Sequence, residues 1–419
     1  SAAKPLLLKF KPWLMPPGKY PFRAEVSGGD ARCVVEDEIE VFEEPQGRFI
    51  IYGWGGTDDL EKIGLNAAVV GGAGAQRELL ERGLWANARI DIREAVPHPW
   101  SPWNRQRSES IARATARATM ANPNVWSCLV NSEMGDPPFP NPDDEPWFYA
   151  WMKQETGLSA IPPEIMRSPV HAAPPREGGF PAVLTDDVPV YKFLHWWGER
   201  GMGWWLFNNQ LARWMKDEGL QVVYYSDQPQ AVTQFADMDM IDYWGYPKVP
   251  EGLVARFSHT ANMAKLLGKR FEAMPGTVYW DDGNGLWVDD GSGKRKVLCL
   301  SPDCLRENLW LSVACPSDSV GIYGLGERKT EVYDTACDQV MAETYGLIEP
   351  IGTLVGGLPL EQPAVAMLET EGLDFTQPGI TDNWIRHWVS RNTGRILARA
   401  RLPFDWITDA HAEAGWLSR

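Results

Sequence analysis

Between Phe49 and Tyr323 the sequence repeats a short apolar run of strand character, usually followed by a loop and a helical stretch. Parallel strands need such crossover connections, and strands buried on both faces are nearly continuous in apolar residues. The runs lie at residues 49–52, 66–70, 85–92, 125–130, 221–225, 238–243, 268–276 and 319–323. Eight strands that alternate with helices predict the α/β fold class and, within it, a (β/α)8 TIM barrel.

Helical stretches separate several of these runs. Residues Ser108–Met120 are alanine-rich, with Ser108 in the cap region and Asn122-Pro123 as the stop, so a helix is predicted there. Residues 193–216 form a long amphipathic region. Its tryptophans, at 196, 197, 204, 205 and 214, recur at helical spacing, which favours packing in the core over contact with a sugar.

The barrel leaves further segments to explain. Residues 1–46 contain short strand-like runs between turn residues, and they predict a β-sandwich-like segment. The barrel itself is expected over residues 47–344, with a proline-rich insertion at 134–190. An insertion of this length is usually functional, and in a barrel it would lie over the catalytic mouth. Residues 345–419 are loop-rich and then contain a strand at 363–368 and an arginine-rich helix from Asn383, which predicts a partial α/β segment.

Charge and aromatic content narrow the class of ligand. Lysine and arginine number 40 against 56 acidic residues, so the net charge is −16 and no nucleic-acid partner is expected. Tryptophan is unusually frequent, with 21 residues. Because its ring stacks on the apolar faces of sugars, a tryptophan-rich acidic protein fits a carbohydrate cleft, and an oligo- or polysaccharide substrate is expected.

Cysteine usage and hydropathy bound the remaining classes. None of the six cysteines forms a CxxC motif, and Cys128 lies within a predicted strand, so neither a zinc site nor a disulfide framework is expected. No metal and no cofactor are predicted. The longest apolar runs are too short to span a membrane. The chain starts at Ser1, from which we expect a processed or trimmed product. The compartment cannot be read directly, but a secreted or periplasmic location is favoured over the cytoplasm.

Two of the predicted strands carry a carboxylate near their carboxyl ends. The run at 125–130 is followed by Asn131, Ser132 and Glu133, and the run at 268–276 carries Glu272 shortly before Pro275. Parallel barrels present catalytic groups at this end of their strands, and two carboxylates are the minimum equipment of a glycoside hydrolase. Taken alone, Glu133 is equally consistent with a solvated residue at the start of a loop.

This layout resembles the clan A glycoside hydrolases, and within them family 42, the β-galactosidase type. The resemblance covers residues 49–370. It rests on the stretches Asn131–Glu133, Phe193–Gly201, Asp242–Pro247, Arg270–Gly276 and Trp310–Tyr323. It implies a retaining hydrolase with an acid/base on strand four and a nucleophile on strand seven. The tail resembles the start of the domain through which that family often forms trimers, which implies a homo-oligomer, a trimer in the intact form.

The resemblance assigns roles to the two carboxylates. Glu272 would attack the anomeric carbon, and Glu133 would protonate the leaving oxygen and then activate water, with the carboxyls about 5–5.5 Å apart. Family members carry adjacent Asn and Glu, the Asn contacting the sugar 2-hydroxyl. Here Ser132 separates Asn131 from Glu133, and strand alternation would direct both inward.

Other residues are candidates for substrate contacts. Tyr246 is the first candidate to hydrogen-bond the nucleophile, and Tyr243 is the alternative because the loop register is open. Asp136 and Asp227 are plausible ligands of sugar hydroxyls but are equally consistent with loop residues. The tryptophans at strand ends are the candidates for stacking on sugar rings, namely Trp54, Trp244 and Trp280.

Two other functions remain open from the sequence. An endo-acting polysaccharide hydrolase, agarase- or glucanase-like, could use the same barrel, and a long open cleft would favour it. A non-catalytic carbohydrate-binding barrel would hold Glu133 and Glu272 too far apart to cooperate. The sugar and its linkage cannot be read from the sequence.

Overall fold

The computed structural model describes residues 18–28, 31–41, 49–92, 102–131, 146–162, 187–189, 192–193, 196, 204–225, 236–245, 250–277, 287–289, 295–297, 299–315, 317–326, 335–355, 365–368, 393–394, 396–397, 399–400, 402, 404–407 and 409–418.

The central feature is a closed barrel of eight parallel strands, as the sequence predicts. In chain order its strands are β3 (Ile50–Gly53), β4 (Ala67–Gly71), β5 (Trp85–Ile90), β6 (Val125–Val130), β7 (Val223–Tyr225), β8 (Met240–Gly245), β9 (Arg270–Pro275) and β12 (Ser319–Ile322). Neighbours around the wall follow the chain order, and β12 closes the ring by pairing with both β9 and β3. The TIM barrel fold is therefore confirmed, and it brings strands that are far apart in sequence into contact.

Helices connect the strands on the outside. Helix α3 (Pro146–Thr156) packs in a separate apolar cluster with Phe193 and Trp196. The helices around the barrel are α1 (Ala73–Glu81), α2 (Pro102–Met120), α4 (Trp204–Asp217), α5 (Pro250–Leu266), α6 (Pro302–Ala314) and α7 (Ala336–Val355). The outward side chains of the strands pack against these helices in two buried apolar clusters. Trp196 and Trp214 are buried, as their spacing predicts; the side chains of the other three tryptophans of that region lie outside the described residues.

Two helix boundaries differ from the prediction. Helix α2 begins at Pro102 rather than near Ser108, which is fully buried within the helix instead of capping it. Residues 345–355 were expected to be loop-rich, but they complete α7, where Ile348 joins the core. The glycine at 352 is not a break: a Cβ there would lie 2.5 Å from the ring of Phe49, so glycine lets the helix approach β3.

The segments outside the barrel are only partly described. Near the amino terminus, β1 (Gly18–Gly28) and β2 (Ala31–Val41) form one antiparallel hairpin, which is the described part of the predicted β-sandwich-like segment. A second short hairpin, β10 (Trp287–Asp289) with β11 (Arg295–Val297), follows β9.

The carboxyl-terminal tail is attached to the barrel. Strand β13 (Val365–Leu368) pairs in parallel with β14 (Phe404–Ile407), which is followed by the short helix α8 (Asp409–Glu413). Asn262 of α5 donates to Asp405 at 3.0 Å, and the buried His411 ring donates to the Asn262 carbonyl at 3.2 Å. Of the helix expected from Asn383, the structure describes short pieces between 393 and 400. Within the described residues, no helix is long and apolar enough to cross a bilayer.

A recurring hydrogen-bond pair joins strands at the amino-terminal end of the barrel. Asn66, Asp239 and Asp318 each immediately precede a strand, and each binds both backbone groups of one residue on the preceding strand. Their side-chain oxygens accept from the amides of Ile51, Val223 and Phe271 at 2.8, 2.9 and 2.8 Å, respectively. Their own amides donate back to the carbonyls of the same three residues. We call this arrangement the strand latch.

Candidate active site

Glu272 lies inside the barrel, on its seventh strand, and is fully buried. The Tyr52 hydroxyl, from the first barrel strand, donates to Glu272 Oε1, and the Ser319 hydroxyl, from the last, donates to Oε2 at 2.5 Å. Ser319 lies directly opposite Glu272 in the pairing of β12 with β9. Each carboxylate oxygen therefore has a hydroxyl donor, and the three residues reach one another only because the barrel closes.

Burial changes the proton affinity of this carboxyl. The pKa of Glu272 is raised from 4.5 to about 7. Burial is the main cause, the hydrogen bonds from Ser319 and Tyr52 oppose it, and the charge of Asp318 adds to it. Around neutral pH the group therefore passes between a neutral acid and a carboxylate. This is the range in which a carboxyl can act either as a base or nucleophile or as a proton donor.

This raised pKa predicts a stability that depends on pH. The folded chain keeps the Glu272 proton up to about pH 7, whereas the unfolded chain releases it near 4.5, so this group lowers the free energy of unfolding as pH rises across that window. Full ionisation of Glu272 lowers the free energy of unfolding by about 3 kcal/mol. Glu272→Gln cannot ionise, so its stability relative to the native chain should increase by about that amount between pH 4.5 and 8.

Urea unfolding of both proteins at several pH values measures this difference. Glu78→Gln, an exposed change on α1, serves as the baseline. A difference between the native chain and Glu272→Gln that stays constant from pH 4.5 to 8 would show that Glu272 is not a buried titrating group.

Further polar residues surround Glu272 in the barrel interior. Asp242 is opposite Glu272 on the neighbouring strand and is also fully buried. The Tyr224 hydroxyl accepts from the Asn87 amide. Burial and then the charge of Glu272 raise the pKa of both Tyr52 and Tyr224 well above its ordinary value. Both phenols therefore keep their protons, and Tyr52 is always able to donate to Glu272.

A glycine on the neighbouring strand β12 provides space for the Tyr52 ring. Gly321 is paired with Tyr52, and a Cβ at this position would lie 2.5 Å from Tyr52 Cζ and 2.6 Å from its hydroxyl oxygen. Any side chain at 321 would displace the ring. The pair Tyr52–Gly321 thus brings the hydroxyl to the carboxylate of Glu272.

Among the described residues the tyrosine that contacts Glu272 is Tyr52, which was not among the sequence candidates. Tyr243 lies next to Asp242 in the strand and so faces the opposite side of the wall, where its ring packs edge-on against Phe257 of α5. The prediction for Tyr243 is wrong because strand alternation directs it toward the helices. Tyr52 was missed because it is 220 residues from Glu272 in sequence. The available signal was an inward tyrosine on the first strand paired with an inward glycine on the last.

Asn131 does not follow the alternation that the sequence suggested. Its φ of 47° places it in the left-handed region, where the strand ends. Its side-chain oxygen accepts from the amide of Ile92 at 2.9 Å, and its amide donates to Asn208 Oδ1 at 2.7 Å. Asn131 is fully buried. In this geometry it joins the ends of β5 and β6 to α4, and a direct contact with a sugar is not favoured.

The structure describes two further predicted site residues, both of them tryptophans. Trp54 and Trp244 are half-buried and contact the interior apolar cluster that also contains Tyr52. The remaining predicted positions, Glu133, Asp136, Asp227, Tyr246 and Trp280, lie outside the described residues. The separation between the carboxyls of Glu133 and Glu272 therefore stays a prediction. Among the described residues no group of three or more histidine, cysteine or acidic side chains could hold a metal ion.

Comparison with known proteins identifies the fold but not a sequence family. No family model matches the chain, and no curated protein matches it. Solved structures with this fold include a cold-adapted β-galactosidase from Rahnella sp. R3, with a TM-score of 0.58 and 13% identity over 86% of this chain and 65% of that one. A β-galactosidase from Bacillus circulans sp. alkalophilus has a TM-score of 0.58 and 13% identity, covering 87% of this chain and 65% of that one.

A further match is a catalytic mutant of a GH42 β-galactosidase from G. stearothermophilus, with a TM-score of 0.57 and 13% identity over 88% of this chain and 67% of that one. The chain thus spans less than two thirds of the first two structures. At this level of identity the likeness establishes a shared barrel fold.

Proposed function

We propose that the chain is a retaining glycoside hydrolase that cleaves a β-linked glycoside, with Glu272 as the nucleophile and Glu133 as the acid/base. The observation that carries the proposal is the setting of Glu272: an inward carboxylate on the seventh barrel strand, held by hydroxyl donors from the first and last strands. The similarity in fold to proteins described as β-galactosidases supports it.

The contacts of Glu272 suit both halves of a double displacement. With the Tyr52 and Ser319 hydroxyls fixing its orientation, the ionised carboxylate would attack the anomeric carbon while the aglycone leaves with a proton from Glu133. The same two donors would then stabilise the carboxylate as water, deprotonated by Glu133, displaces it from the sugar. Because burial raises the pKa of Glu272 to about 7, the reactive form gains population as pH rises through neutrality.

One observation favours a second candidate, a non-catalytic carbohydrate-binding barrel. Glu272 is fully buried and both of its oxygens already accept hydrogen bonds within the protein. Such a carboxyl could instead be a structural element of the interior. In that case the barrel would bind a glycan at its rim without cleaving it.

Turnover of a substrate panel distinguishes the two functions. We expect the chain to hydrolyse at least one 4-nitrophenyl β-glycoside among galactose, glucose, mannose, fucose and xylose, and proton NMR to show the β-anomer as the first product. Initial release of the α-anomer would exclude the retaining mechanism. Sugar binding by calorimetry without turnover of any glycoside would support the non-catalytic barrel.

A further inference from the structure

Arg89 lies in an unusual place for an arginine of an acidic protein. It is the fifth residue of β5, near the carboxyl-terminal end of the barrel, and it is exposed. Its neighbours Ala88 and Ile90 belong to the cluster that packs against the outer helices. Strand alternation therefore directs Arg89 to the inner side, at the mouth of the barrel.

The guanidinium of Arg89 is held by an aromatic ring rather than by an acid. Its central carbon lies 5.5 Å from the centre of the Trp54 ring. Trp54 is itself fixed, since its amide donates to the Ile322 carbonyl and its carbonyl accepts from the Leu325 amide. A cation–π contact uses none of the five N–H donors of arginine. The side chain is thus oriented while its hydrogen-bonding capacity stays available.

Arg89 differs from the arginines of the outer surface in its surroundings. On the outer surface, arginines such as Arg82, Arg113 and Arg213 form ion pairs with acidic side chains. Within the described part of the chain, no acidic group lies within ion-pair distance of Arg89, although Asp91 follows two residues later. A chain of net charge −16 repels anions at long range, so an arginine with no ion pair among the described residues is a local exception.

A glycine lies beside Arg89. The partner of Arg89 in the β4–β5 pairing is Gly71, and among the described residues a Cβ added at Gly71 would meet only the Arg89 carbonyl, at 4.0 Å. Strand β5 lies four positions from β9 in the eight-strand ring, so Arg89 lies across the barrel from Glu272. A group bound by Arg89 would therefore lie on the side of the sugar that faces away from Glu272.

We propose that Arg89, restrained by Trp54 at the barrel mouth, binds the oxyanion of an acidic sugar, a uronate carboxylate or a sulfate ester. The proposal names the substrate class of the hydrolase and rests on the proposed function for its catalytic part. Arginine suits this role because its planar fork binds carboxylate and sulfate oxygens in pairs. Trp54 then acts as the support of a cation, and its face toward Arg89 is not a platform for a sugar.

The test compares matched acidic and neutral substrates on the native chain. We expect kcat/KM for a 4-nitrophenyl β-galacturonide, β-glucuronide or 6-sulfo-β-galactoside to exceed that of the neutral β-galactoside or β-glucoside by at least about tenfold. The uronide and sulfate arms identify which oxyanion is bound. Arg89→Gln should reduce the acidic-to-neutral ratio by about 10- to 100-fold, because a charge-assisted hydrogen bond is lost. Arg89→Lys should recover only part of it.

The control is Arg270→Gln, which removes an exposed arginine from the amino-terminal end of β9 and should keep the ratio unchanged. A ratio that is the same in the native chain and in Arg89→Gln overturns the proposal, even if neutral glycosides are hydrolysed and the proposed function stands. If no glycoside is hydrolysed, calorimetry with digalacturonate and with galactobiose decides. Binding of the acid alone, lost in Arg89→Gln, supports the proposal while the hydrolase function fails, and equal binding of both sugars rejects it.

Discussion

Replacing Glu272 with alanine is expected to reduce kcat for an activated β-glycoside by about 10⁴-fold or more, because the group that forms the covalent intermediate is removed. The variant leaves space where the carboxylate lay between Tyr52 and Ser319. Azide added at molar concentration should enter this space, attack the anomeric carbon and restore turnover, giving the glycosyl azide of inverted configuration.

The anomer of the azide product tests the assignment of roles. Glu133→Ala should instead give the retained azide, because Glu272 would still form the glycosyl-enzyme that azide then attacks. Glu78→Ala, an exposed change on α1, is the control and should keep native activity. Activity of Glu272→Ala within tenfold of the native level, or the retained azide from this variant, would refute Glu272 as the nucleophile.

Gly321→Ala should both destabilise the chain and impair the site. Its Cβ would lie 2.5 Å from Tyr52 Cζ, and the ring is fully buried. Overpacking of this kind costs about 1–3 kcal/mol in the free energy of unfolding. Displacement of Tyr52 also removes its hydrogen bond to Glu272, which should raise the pKa of Glu272 and move the acidic limb of kcat/KM to higher pH.

A double-mutant cycle isolates this contact. In a Tyr52→Ala background, Gly321→Ala should be neutral or stabilising, because the new methyl group fills part of the cavity left by the ring. Gly346→Ala in α7 is the control, since a Cβ there meets nothing within 4 Å. Equal destabilisation by Gly321→Ala with and without Tyr52 would show that the ring contact is not the cause.

The barrel strands could be predicted because strands buried on both faces are short runs of mostly apolar residues. The runs at 125–130 and 319–322 are short and largely apolar, and the structure has strands at those positions. Helix ends and interruptions were less readable. Pro102 begins α2 six residues before the expected cap, and residues 345–355, which were expected to be loop-rich, continue α7 and pack against Phe49.

The candidate site was predictable only where a residue carries its own chemical signal. Glu272 could be singled out from a strand that ends in Pro-Gly, but its hydrogen-bond donors could not. Tyr52 and Ser319 reach it through closure of the ring, which no local pattern encodes. Asn131 was misjudged for a related reason. Alternation assumes an extended backbone, and its left-handed φ ends that regularity one residue after the strand.

The strand latch has a consequence for how such a barrel diversifies. Each latch closes the segment between two consecutive barrel strands at the amino-terminal end, and the three segments span 15, 16 and 47 residues between the bonded positions. The longest contains the β10–β11 hairpin, yet its latch has the same pattern of hydrogen bonds and nearly the same donor–acceptor distances. Closing a loop three times longer costs only about 1 kcal/mol more. The hydrogen bonds at the amino-terminal end are thus independent of the loops at the mouth. Insertions in those loops can be gained, lost or exchanged during evolution while the barrel strands stay in register.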